Sequence, residues 1–167
     1  MTAKSDRIEE SDQVVACNAL SVIARSAGLS IATAESLTSG NLAALLGRGE
    51  AASEWYRGGV VAYSKAVKHS VLHVPLGPAV SEGAAKAMAH TVATMMGANL
   101  AIALTGEGGP EPQEQPPGTV WFGVADHGVV FAERQQFGGS PGDILDATID
   151  RAIQLLRDRA NLCAHSD

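Results

Sequence analysis

Residues 100–123 read LAIALTGEGGPEPQEQPPGTVWFG. Leu100 to Leu104 is an unbroken apolar run, the mark of a strand covered on both faces. Thr105-Gly106 ends that strand. A glycine- and proline-rich loop follows, too long for a mere connector and of the kind that binds ligands. Thr119–Ala125 and Val129–Phe137 then read as two strands around the turn Asp126-His127-Gly128, a hairpin.

Upstream the pattern alternates. A helix is predicted from Asp12, with Ala16, Leu20, Ile23, Ala24 and Ala27 on one face and Gly28 at its end. Leu29–Ala34 reads as a buried strand, Thr38–Leu46 as a helix, Tyr56–Tyr63 as a strand and Ser64–Leu72 as a short helix. Ser81 is placed to cap a long helix whose apolar side carries Ala84, Ala85, Met88, Val92, Met95 and Met96. That Ala- and Met-rich helix suits a core or an interface equally. Downstream, Ser140-Pro141-Gly142-Asp143 combines a capping serine, a proline at the first helical position and an acid in the first turn, so a last helix starts there. Helices alternating with strands, then a hairpin, predict an α/β fold: one three-layer domain, with a mixed, mostly parallel sheet of about five strands. Helices cover both faces and the antiparallel hairpin lies near one edge. The domain is expected over 11–162, with flexible ends at 1–10 and 163–167.

The chain has 167 residues, 46% of them hydrophobic, which suits one domain with one sizeable core. Its formal net charge is −6 and no Lys/Arg block occurs, which argues against direct nucleic-acid binding. No apolar run is long enough to span a bilayer and the N-terminus lacks an apolar targeting segment, so no membrane partner and a cytoplasmic location are expected. Cys17 and Cys163 lack CxxC spacing and read as incidental thiols.

Three segments carry candidate chemistry, and each follows a predicted strand. In ATAESLTSGNLAALL (32–46), Ser36, Thr38 and Ser39 cluster where strand meets helix. Backbone amides there are free for an anion or a developing oxyanion, although the hydroxyls also suit simple capping. In GGVVAYSKAVKHSVL (58–72), Tyr63 and Ser64 end a strand and Lys68 lies one turn into the next helix. A lysine desolvated there loses its proton more readily and can act as a base. His69 and His73 have i, i+4 spacing without a third ligand and read as surface residues. In the third segment, Thr105, Gly106, Gly108 and Gly109 surround a site of close backbone approach, without the Gly-Lys-Ser/Thr ending of a P-loop. Parallel strands bring Ser36, Tyr63, Lys68 and Thr105 to one sheet edge, beyond the carboxyl ends of the strands where open α/β sheets bind ligands.

With AESLTSG (34–40), YSKAVK (63–68), VSEGAAKAMA (80–89), TGEGGP (105–110) and GTVWFG (118–123) in this order, the sequence resembles the CinA C-terminal domain family. The resemblance implies a nicotinamide-nucleotide amidase, converting nicotinamide mononucleotide to nicotinic acid mononucleotide and ammonia. By position, it implies Ser36 as nucleophile, Lys68 as general base and Tyr63 as orienting or relaying group. Thr38, Ser39, Thr105, Gly106, Gly108 and Gly109 would bind substrate, with the backbone at Leu37 and Thr38 facing the carbonyl oxygen. It implies no metal or organic cofactor, a pyridine mononucleotide as small-molecule partner, and a homo-oligomer. The chain departs from the family pattern at Leu37 (usually Cys), Ser39 (usually Gly), Lys65 (usually Asn), Glu107 and Gly108. It also lacks the Gly-Asp-Arg often found near the last helix, having Gly139-Ser140-Pro141 instead. Arg57, Lys65 and Arg151 are then the candidates for gripping a substrate phosphate. The departures leave a second expectation: an inactive member that binds a nucleotide or a protein.

Overall fold

The computed structural model describes residues 11–166; the expectation for 1–10 lies outside the described residues. The order of elements is α1 (Asp12–Ser26), β1 (Ile31–Glu35), α2 (Asn41–Gly47), α3 (Ala52–Trp55), β2 (Tyr56–Val61), α4 (Lys65–Leu72), α5 (Glu82–Met96), β3 (Leu100–Gly106), β4 (Thr119–Asp126), β5 (Val129–Gln136) and α6 (Pro141–Ala164). The strands form one open sheet in the order β2-β1-β3-β4-β5. β1 pairs in parallel with both β2 and β3, β4 is antiparallel to β3, and β5 is antiparallel to β4. Only β4 therefore runs against the other four strands, and the hairpin forms one edge.

The period-two alternation of the central strands sorts the layers. Ile31, Leu100, Ile102 and Leu104 pack on one face with Leu20 and Ala24 of α1, Leu42 and Leu46 of α2, Trp55 of α3, and Ile153 and Leu156 of α6. Ala32, Ala34, Ala101 and Ala103 cover the other face and meet Leu72 of α4 and Ala84, Met88 and Val92 of α5. Large side chains thus fill the space under α1 and α6, while alanines let α5 lie close to the sheet. The long Ala- and Met-rich helix is core on that side, although Met95 is exposed.

Three helices differ from the sequence reading, and β1 (read as 29–34) and β2 (read as 56–63) shift at their ends. Helix α2 starts at Asn41, not Thr38, because Ser39 and Gly40 both take positive φ (51° and 93°), which no helix continues through. The short α3 lacks a periodic signal long enough to be read. Helix α6 reaches Ala164, two residues past the expected domain end, and is held at its start by a reciprocal Ser140–Asp143 capping box. Both cysteines are free. Among the described residues no helix is long and apolar enough to cross a membrane.

The close approach of α5 is testable at Gly123 of β4, where an added Cβ would lie 2.0 Å from the Ala85 carbonyl oxygen. Gly123→Ala forces helix and sheet apart. We expect a loss of about 2–3 kcal/mol or more in urea unfolding.

Candidate active site

The connection after β1 leaves over the α1/α6 face, through α2 and α3. The connection after β2 leaves over the opposite face, through α4 and α5. Adjacent parallel strands whose connections part to opposite faces open a crevice at their carboxyl ends. A cleft of about 540 Å³ lies there, lined among others by Ser36, Tyr63, Lys68, Gly106, Gly108 and Gly109. The structure thus brings six of the nine expected site residues to one cleft.

Ser36 follows the last residue of β1. It is almost fully buried, and its amide bonds to the Leu104 carbonyl at 3.1 Å, continuing the β1/β3 pairing for one residue. The turn after it is set by Glu35, a buried carboxylate at the end of the central strand. Glu35 Oε1 accepts from the Thr38 hydroxyl (2.6 Å) and the Leu42 amide (2.9 Å), and Oε2 accepts from the Ala43 amide (2.9 Å). The N-terminus of α2, expected to be free for an anion, is therefore capped from within the chain. Among the described residues, the amides of Leu37 and Thr38, in the turn itself, donate no backbone hydrogen bond.

Lys68, in the first turns of α4, is only 5% exposed. Burial pushes its ammonium below the usual lysine range, the carboxylates of Glu114 and Glu107 pull it partly back up, and Lys65 adds a smaller push down. No direct hydrogen bond joins Lys68 to Ser36. Tyr63 is 70% exposed and stands at the cleft mouth.

The opposite wall is the 107–118 loop, and it is braced rather than slack. Glu107 Oε1 accepts from the amides of Glu114 (2.9 Å) and Gln115 (3.3 Å). Glu114 Oε2 accepts from the amides of Ala79 (2.8 Å) and Val80 (2.9 Å), and its other oxygen pairs with Lys65. Desolvation opposes ionisation of Glu114, but the Lys65 contact and the two amides outweigh it and hold its carboxyl below the usual range.

Thr38, Ser39 and Thr105 do not line the cleft. Thr38 is spent on Glu35, and Ser39 is exposed outside it. Buried Thr105 donates to the Ala79 carbonyl at 2.6 Å and so supports the cleft wall from behind. His69 is half-buried rather than a surface residue, because its Nδ1 meets the Val74 carbonyl. Of the candidate phosphate ligands, Arg57 lies at the other end of the sheet beside Glu54 and Asn99, and Arg151 is locked two-pronged on Glu133 (2.7 Å each). Lys65 alone of the three lines the cleft. Sequence reasoning missed Glu35 and Glu114. The one available signal for Glu35 is that Gly40, at the cap position of α2, has no side chain to cap it.

Asp126, His127 and Cys163 form a separate cluster near the hairpin turn, with donor atoms within 4.8 Å of one another. Arg159 sits on Asp126 (2.7 Å) and neutralises it.

An open α/β sheet with a polar cleft over the carboxyl ends of its central strands has the layout in which open α/β domains bind their ligands. Residues 15–160 match the CinA C-terminal domain, and the chain belongs to that family. Nicotinamide-nucleotide amidohydrolase PncC of Pseudomonas putida is 36% identical over 131 residues, which cover 74% of this chain and 81% of that protein. A CinA-like protein of Mycolicibacterium vanbaalenii is 43% identical over 139 residues, 78% of this chain. The match spans only 33% of that relative's length. A CinA-superfamily structure from Klebsiella pneumoniae superposes with a TM-score of 0.87 at 31% identity, covering 91% of this chain and 99% of that one.

The Glu35 cap carries a direct consequence. Glu35→Ala leaves two buried or half-buried amides and a buried hydroxyl after Ser36 without their acceptor. We expect it to lower unfolding free energy by about 2–3 kcal/mol.

Proposed function

We propose that this chain hydrolyses the carboxamide of nicotinamide mononucleotide, releasing ammonia and nicotinic acid mononucleotide. The observation that carries the reading is the meeting of Ser36, Tyr63 and a desolvated Lys68 in one cleft beside unused backbone amides. The activity named for the Pseudomonas putida relative supports it. The expected setting is the cytoplasm, with the chain as a homo-oligomer.

In this mechanism Ser36 Oγ attacks the carboxamide carbon. Its proton passes through one bridging water to the neutral Lys68 amine, and the carbonyl electron pair moves onto oxygen. The amide of Leu37, which lines the cleft, faces that oxyanion. Collapse re-forms the carbonyl, breaks the C–N bond, and returns the proton from Lys68 to the departing ammonia. A water then attacks the ester and gives a proton to Lys68; a second collapse breaks the ester C–O bond, Lys68 returns that proton to Ser36 Oγ, and the acid product ionises to its carboxylate, releasing a proton to solvent. Tyr63, at the mouth, orients the water chain.

The missing direct bond between Ser36 and Lys68 favours a second reading, a domain that binds the nucleotide without turnover. Ammonia release from the purified chain separates the two. We expect release, with kcat lowered about 100- to 10,000-fold in Lys68→Ala and at least as far in Ser36→Ala. Nucleotide binding with no release overturns the amidase reading.

The pH dependence has a definite sign. The base is the neutral amine, so activity rises with pH through the lowered Lys68 pKa and levels off above it. Glu114 raises that pKa. Glu114→Gln should therefore move the rise to lower pH, read from the acidic limb of kcat. An unmoved limb contradicts Lys68 as the base.

A further inference from the structure

We propose that Lys65 forms a phosphate subsite at the rim of the cleft and selects phosphorylated over unphosphorylated substrates. The inference rests on the nucleotide reading above for the identity of its ligand. The cleft belongs to a chain of net charge −6, and its wall carries Glu107 and Glu114. A phosphate dianion entering it is repelled unless a cation meets it.

Among the described residues the cleft is lined by two cations, Lys65 and Lys68. They differ in what they can do. Lys68 is almost fully buried and poorly able to hold its charge, which suits proton transfer. Lys65 has a side chain 57% exposed, so it reaches solvent at the rim of the cleft. The two lie three residues apart on α4 and hence on neighbouring positions of one helix face. Ser36, Lys68 and Lys65 line one cleft, so a ligand whose amide meets Ser36 has Lys65 within the same cleft for its other end.

Lys65 is also held in place. Its ammonium sits against Glu114 Oε1, a buried oxygen with no hydrogen bond of its own among the described residues. Glu114 in turn is pinned by the Ala79 and Val80 amides. An ammonium has three donors. The pairing with Glu114 does not use all three, and the 57% exposed side chain leaves donors for phosphate oxygens. Glu114 acts here as a positioning residue: it orders a long side chain before the ligand arrives, which lowers the entropic penalty of binding.

The test uses binding rather than turnover, so that it survives failure of the amidase reading. Calorimetric titrations of nicotinamide mononucleotide and of nicotinamide riboside are made on Ser36→Ala, which does not consume the ligand. The same titrations are made with Lys65→Asn and Lys65→Arg added. Wild-type ammonia release is measured in parallel and reports on the amidase reading alone. We expect the mononucleotide to bind more tightly than the riboside. Lys65→Asn should weaken the mononucleotide about 10- to 100-fold and leave the riboside unchanged, while Lys65→Arg keeps most of the preference. Equal affinity for the two ligands in the parent, or a preference that persists in Lys65→Asn, overturns the subsite.

Discussion

The carboxylate of Glu35 is the constraint on which the site depends. It stands at the end of the central strand β1, buried, with no arginine or lysine bonded to it among the described residues. Three donors from the following turn and helix hold it instead, and the positive end of α2 adds to them. The result is a closed loop of bonds from Glu35 through Thr38 to Leu42 and Ala43. That loop leaves the chain between Ser36 and Gly40 one course to take. Ser36 is thereby fixed at the floor of the cleft, and the first free amides after it are those of the turn and not of the helix.

Carboxylates frame the other wall as well. Glu107 folds the long loop onto itself, and Glu114 ties that loop to the segment before α5 and to α4. Thr105 reaches the same segment from the sheet. The loop is therefore part of the scaffold. Lys68 lies between these opposing influences, with burial working against its charge and two carboxylates supporting it. Burial is the largest of these influences, and its net effect is to lower the Lys68 pKa from the usual lysine range.

Much of the fold was legible in the sequence because its signals are local. The LAIAL run, the capping box at Ser140 and the Asp126-His127-Gly128 turn each announce one element within a few residues. The placing of Ser36, Tyr63 and Lys68 was legible too, since each follows a strand and parallel strands end together. What escaped depends on distance in sequence. Glu35 is bonded to amides seven and eight residues on, and Glu114 to amides 34 and 35 residues back. A carboxylate acting on backbone leaves no complementary side chain to be noticed. Thr105 was read as a ligand contact from its place at a strand end, but its hydroxyl turns to Ala79. The late start of α2 depends on two positive φ values, one of them at a serine, where residue type gives little warning.

The central claim is that Ser36, activated through Lys68, becomes covalently acylated by the nucleotide. Acid-quenching the enzyme during turnover of nicotinamide mononucleotide, followed by peptide mass spectrometry, tests it most directly. The nicotinate mononucleotide acyl group is expected as an ester on the peptide containing Ser36. Ammonia release in a single burst with no adduct on that peptide, or with the adduct on Tyr63, would contradict it.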